Sequence, residues 1–94
     1  MDTSLTAKTA LITGGSLGLG LAMAKHFYSA GANVAILARR PEPLVEAAAE
    51  IAAQDGEGDV AYFPCDVTDP SAVIATHKAV VERFGPVDIL VNNA

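Results

Sequence analysis

Apolar and polar positions alternate between two rhythms along the 94-residue chain, short unbroken apolar runs and longer stripes at helical spacing. Thr9 to Thr13 is apolar and β-capable and leads straight into a glycine-rich stretch, TGGSLGLG. Beyond it Gly20, Met23, Ala24 and Phe27 recur at helical spacing, with Lys25, His26 and Ser29 on the other face and Gly31 as a stop signal. Asn33 to Ala38 (NVAILA) is nearly all apolar, as strands covered on both faces are. Pro41 and Pro43 punctuate before a second stripe, Leu44, Ala47, Ala48 and Ile51, which leaves Glu46 and Glu50 outside and closes at Gly56 and Gly58. Val60 to Phe63 is a third strand, followed by the polar turn Asp66-Val67-Thr68-Asp69. Asp69 before Pro70 suits an N-cap with proline at the first helical position. The helix it opens carries Val73, Val80 and Phe84 inward and stops near Gly85-Pro86. Val87 to Val91 is a fourth strand.

Strands alternating with helices imply parallel pairing and right-handed crossovers. The simplest wiring is an α/β, Rossmann-type doubly wound parallel sheet of βαβαβαβ form with strand order 3-2-1-4. Its topological switch point lies between strands 1 and 4. A ligand crevice is expected there, at the carboxyl ends of the strands, where the glycines sit.

Composition narrows the partners. Half the residues are apolar and few are aromatic, which fits a globular chain and argues against disorder. The formal charge of −5, with Lys and Arg dispersed apart from Arg39-Arg40, argues against nucleic acid. Cys65 is the single cysteine, so no internal disulfide forms, and a reducing, cytoplasmic setting is favoured. Its thiol is expected to be inert packing. No basic start precedes an apolar core of signal-peptide length, and no apolar run approaches the roughly 20 residues that cross a bilayer. No metal-ligand cluster is found: His26 is expected on an exposed face and His77 as a partly buried packing residue among Val73, Val80 and Phe84.

A turn from a parallel strand into a helix presents free N–H groups and the positive end of the helix dipole, which together hold an anion without a charged side chain. Close approach of a pyrophosphate demands residues without a β-carbon, and glycine also lets the helix lie tight on the sheet. Gly14, Gly18 and Gly20 divide those duties in this reading. No Lys-Ser or Lys-Thr pair follows, which excludes the nucleotide triphosphate loop. The spacing is T-G-x-x-x-G-x-G rather than G-x-G-x-x-G.

With that spacing the chain resembles the short-chain dehydrogenase/reductase family. Asp66-Val67 after strand 3, Asn92-Asn93-Ala94 after strand 4 and Arg39-Arg40 after strand 2 stand where that family would have them. The resemblance covers essentially the whole chain but only the N-terminal portion of a family member. It implies that residues 1–94 are the dinucleotide-binding portion of a single Rossmann-fold domain, truncated at its C-terminus. Gly14, Ser16, Leu17, Gly18, Leu19 and Gly20 are the cofactor-binding candidates of the turn.

Where the second strand ends, an NAD site would place a carboxylate on the ribose 2′-hydroxyl. Here the chain reads Ala38-Arg39-Arg40. The missing carboxylate removes repulsion of a 2′-phosphate, and a guanidinium offers paired donors that match phosphate oxygens, so NADP is favoured over NAD. Arg39 is the first choice and Arg40 the second, because adjacent residues at a strand end point in different directions. Ser16 adds a hydroxyl. Leu17 departs from NADP-using relatives that carry a basic residue before the middle glycine, which leaves more to Arg39; a solvated Arg pair is the alternative. By resemblance, Asp66 accepts from the adenine amino group and the Val67 backbone meets the ring edge, the alternative being that Asp66 only caps a turn. Asn92 resembles the family asparagine that steadies the central strands, and Asn92, Asn93 and Ala94 line the adenosine ribose side; an Asn pair ending a strand is otherwise ordinary turn chemistry.

The family transfers hydride between a nicotinamide and a carbonyl or alcohol carbon, with a serine, a further asparagine and a Tyr-x-x-x-Lys pair one helical turn apart. Neither Tyr28 nor Tyr62 has a lysine four residues on. The catalytic Ser/Tyr/Lys set is therefore expected outside these residues, and no catalytic residue is assigned within them. The resemblance implies an NAD(P)-dependent oxidoreductase, homo-oligomeric in its full-length form, with a substrate that these residues do not reveal. The alternative is a dinucleotide-binding fragment without turnover.

Overall fold

The computed structural model describes residues 4–93. Four strands, β1 (Thr9–Thr13), β2 (Asn33–Ala38), β3 (Val60–Pro64) and β4 (Ile89–Asn92), alternate with three helices, α1 (Gly18–Ser29), α2 (Pro41–Ala52) and α3 (Pro70–Phe84). All three strand pairs are parallel, and the order across the sheet is β3-β2-β1-β4, as expected. The switch point therefore falls between β1 and β4.

Successive side chains of the two central strands go to opposite faces, and each face has its own core. Ile12, Val34 and Ile36 pack with Ala24 and Tyr28 of α1 and with Leu44, Ala47, Ala48 and Ile51 of α2. Leu11, Ala35 and Leu37 pack on the other side with Cys65 and Val80. The α2 stripe is buried as its periodicity predicts. On α1 the inward stripe is Gly20, Ala24 and Tyr28 rather than one ending at Phe27, which is partly buried. Tyr28 fits because Gly56 lies against its ring: a β-carbon on Gly56 would sit 2.5 Å from Tyr28 Cε2.

Asp69 caps α3, its Oδ1 accepting from the Ser71 N–H at 3.0 Å and the Ala72 N–H at 3.4 Å, with Pro70 opening the helix. Two expectations for α3 are corrected. Val73 is 37% exposed, and His77 is exposed rather than partly buried. Both line an open groove, because α3 is the only helix among the described residues on this face of the sheet. β4 begins at Ile89, two residues later than its apolar run. Asp88 instead ties the strand bases together, its Oδ2 accepting from the Thr9 N–H at 2.9 Å and its own N–H donating to the Thr9 carbonyl at 2.9 Å.

Candidate functional site

The carboxyl ends of the four strands bring the sequence-predicted residues to one edge of the sheet. The glycine turn leaves β1 and is fastened to β2 at once: the N–H groups of Gly14 and Gly15 donate to the Leu37 carbonyl at 2.8 and 3.3 Å. That pairing sets the turn beside the segment carrying Arg39.

Within the turn the glycines meet different demands. Gly18 opens α1 with φ +55°, a conformation L side chains rarely adopt, and the space where a β-carbon would stand is open. Gly20 is buried, and a β-carbon there would collide with the Gly14 carbonyl and come within 2.8 Å of Asn93 Nδ2. Gly15, which sequence reasoning passed over, lies against the core: a β-carbon would meet Ile36 Cγ2 at 2.7 Å. Leu17 occupies the N-cap position of α1 without a side-chain cap, and no acidic residue stands in the first helical turn. The first-turn N–H groups and the positive end of the helix dipole are thus presented with no carboxylate against them. Leu17 and Leu19 flank this end and are 70% and 67% exposed.

Thr13 clasps the turn to β4 and was also missed as a site residue. Its hydroxyl donates toward Asn92 Oδ1 at 3.1 Å and accepts from the Asn93 N–H at 2.9 Å. Its place as the first letter of the glycine motif was the available signal, but the partners lie at the far end of the chain. Asn92 and Asn93 are thereby held at the switch point; Ala94 lies outside the described residues.

At the other end, β2 and β3 run in register to Ala38 and Pro64, and the Cys65 N–H donates to the Ala38 carbonyl at 2.8 Å. Arg39 and Asp66 therefore emerge side by side, with Arg39 Nη2 3.8 Å from Asp66 Oδ2. The other carboxylate oxygen, Oδ1, accepts from the Thr68 hydroxyl at 2.6 Å and the Thr68 N–H at 2.9 Å. These bonds, the hydroxyl's foremost, hold the Asp66 carboxyl below the usual carboxylate range. Arg40 is exposed at the N-cap position of α2. Ser16 is half-buried in the turn.

A groove of about 500 Å³ runs along the α3 side of this edge, lined by Leu11, Thr13, Leu37, Val67, Val73, His77, Leu90 and Asn92. Of the predicted residues only Val67 and Asn92 line it; the glycine turn borders it through Thr13. The edge thus joins an apolar slot, an uncapped helix end and an arginine pair. Among the described residues no group of three or more His, Cys, Asp or Glu side chains is placed to hold a metal, and no helix is long and apolar enough to cross a membrane.

The chain as a whole is similar to known proteins. A fatty acyl-CoA reductase of Acinetobacter baylyi is 42% identical over 91 residues, covering 97% of this chain and 30% of the relative. The structure of a metagenomic short-chain oxidoreductase in complex with NADP superposes with a TM-score of 0.90 at 37% identity, over 97% of this chain and 40% of that one. An NAD+-bound xylitol dehydrogenase superposes with a TM-score of 0.90 at 36% identity, over 96% of this chain and 34% of that one. Relatives are spanned over 28% to 52% of their own length. The short chain dehydrogenase family model matches residues 8–94. With that match on the Rossmann-type sheet and its glycine turn, the chain belongs to the short chain dehydrogenase family.

Proposed function

We propose that these residues form the NADP-binding portion of an NADP-dependent oxidoreductase acting on a carbonyl or alcohol, with the catalytic Ser, Tyr and Lys supplied by residues beyond these 94. The observation that carries this reading is the α1 N-terminus, uncapped, free of acidic residues, and opened by Gly18 with empty space at its missing β-carbon. A diphosphate fits such a cradle because its charge meets backbone N–H groups at close range. The N–H groups from Leu17 to Gly20 would hold it, with Gly14 shaping the turn. Val67, Asn92 and Asn93 would border the adenosine, whose amino group would donate to Asp66. Arg39 would take the 2′-phosphate, with Arg40 and the Ser16 hydroxyl beside it; no carboxylate stands at the end of β2 to select a free ribose 2′-hydroxyl.

When bound, the nicotinamide supplies or accepts the hydride that interconverts carbonyl and alcohol carbons. The small share of each relative that this chain spans supports placing the substrate pocket elsewhere in the protein. Cys65, the single cysteine, is buried, which suits a reducing, cytoplasmic setting.

Titration of NADP+ and NAD+ into the intact protein tests this reading. The wild type should prefer NADP+, and Arg39→Asp should shift the preference toward NAD+ by at least about tenfold, since one charge-assisted phosphate contact contributes about 1.5–3 kcal/mol. An unchanged ratio in the variant would remove Arg39 from the site.

A further inference from the structure

Two cations, Arg39 and Arg40, stand at the end of β2, and the Asp66 carboxylate, just past the end of β3, faces Arg39. We propose that Asp66 sets how strongly the site prefers a 2′-phosphorylated dinucleotide, by partly neutralising the Arg39 guanidinium across the strand ends. This rests on the proposed function, because it assumes that Arg39 meets the 2′-phosphate.

The geometry gives Asp66 this role through a division of its two oxygens. Oδ1 is spent on the Thr68 N–H and hydroxyl, which fixes the side chain in an Asx-type turn. Oδ2 is left facing Arg39 Nη2 at 3.8 Å, too long for a full hydrogen bond but well within Coulomb range. Among the described residues no other carboxylate pairs with Arg39. Among the described residues no stronger contact tethers Arg39, whose side chain is 76% exposed. A guanidinium has five N–H donors, so it can hold Asp66 along one edge and a phosphate along another. The carboxylate then steadies Arg39 but also lowers the net positive charge that a 2′-phosphate, near −2 at neutral pH, would meet. A free 2′-hydroxyl feels neither effect. Because the contact is too long for a full hydrogen bond, the loss of positive charge outweighs the steadying; Asp66 discriminates against the phosphorylated cofactor, and Thr68 keeps its free oxygen pointed where it does so.

Asp66→Asn removes the charge while its amide oxygen can still accept from Thr68. In the intact protein, Kd values for NADP+ and NAD+ measured by calorimetry should show the NADP+ preference rising by roughly three- to tenfold, a modest effect because the pair is solvent-exposed. In about 1 M salt, where the Debye length falls to about 3 Å, the gain should shrink toward nothing. In an Arg39→Met background, Asp66→Asn should change the preference by much less, which a double-mutant cycle reads directly. Equal changes in both Kd values for Asp66→Asn would overturn the inference, leaving Asp66 a contact of the shared adenosine only. So would a fall in NADP+ preference, or an equal effect in both backgrounds. Should Arg39→Met alone leave the preference unmoved, the assignment of Arg39 fails first and this inference falls with it.

Discussion

The two faces of the sheet are built from the same strands and behave as opposites. On one face α1 and α2 close over Ile12, Val34 and Ile36, and Leu44 and Ile51 are fully buried. On the other, Leu11, Ala35 and Leu37 are buried as well, but α3 is the one helix there among the described residues, and Leu90 on β4 is 65% exposed. The closed face carries the cohesion of these residues; the open face carries the groove. The edge between them is where the glycine turn, the asparagines and the arginine pair meet. A close-packed layer beneath the turn, with Ile36 directly under Gly15, holds that edge rigid while leaving its outer side accessible.

The contrast between the faces predicts opposite costs for two side-chain truncations. Leu44→Ala on the closed face should cost about 2–5 kcal/mol in urea unfolding, whereas Leu90→Ala should stay within about 0.5 kcal/mol. Similar costs at both positions would mean that the faces are equally closed. Next in size is Gly20→Ala, whose methyl would press on the Gly14 carbonyl; about 1–3 kcal/mol of stability should be lost, as in an overpacked core. Gly18→Val separates fold from site. Its side chain would enter open space, so only the left-handed backbone penalty of about 1–2 kcal/mol falls on stability, while dinucleotide affinity should drop at least about tenfold. Tight binding retained in that variant would count against the turn as the phosphate cradle.

The smallest effect concerns acid. Asp59, Asp66 and Asp69 have carboxyls held below their usual range, chiefly by hydrogen bonds from Arg83, from Thr68 and from Ser71 respectively. A depressed folded-state pKa contributes stability above the unfolded value, and that contribution is lost as pH falls through the folded value. Thermal melts should therefore be flat near neutral pH and decline below about pH 4. Asp69→Asn keeps an N-cap acceptor but cannot titrate, so it should melt like the wild type at pH 7 and decline less steeply in acid.

Much of the architecture was legible because unbroken apolar runs and helical stripes are hard to confuse here. The bounds of β1 and β2 match their runs, and the 3-2-1-4 order follows from short right-handed crossovers. His77 was misread because helical periodicity names the inward face of α3 without saying what packs against it. The Thr13 clasp and the Arg39–Asp66 pair were out of reach for another reason. Each joins residues distant in the chain through strand register, and apolar patterning assigns a side chain to a face, not to a partner. The glycine turn was readable as a motif, yet its division of labour was not: Gly15 against Ile36 and Gly20 against Gly14 are contacts of the folded edge.

Everything proposed for the site depends on backbone N–H groups at the start of α1 holding a dinucleotide's diphosphate. A crystal structure of the intact protein grown with NADP+ decides whether they do. Phosphate oxygens should lie within about 3 Å of the backbone nitrogens between Leu17 and Gly20, with the adenosine beside Val67 and Asn92. A bound NADP+ whose diphosphate lay away from this turn would contradict it.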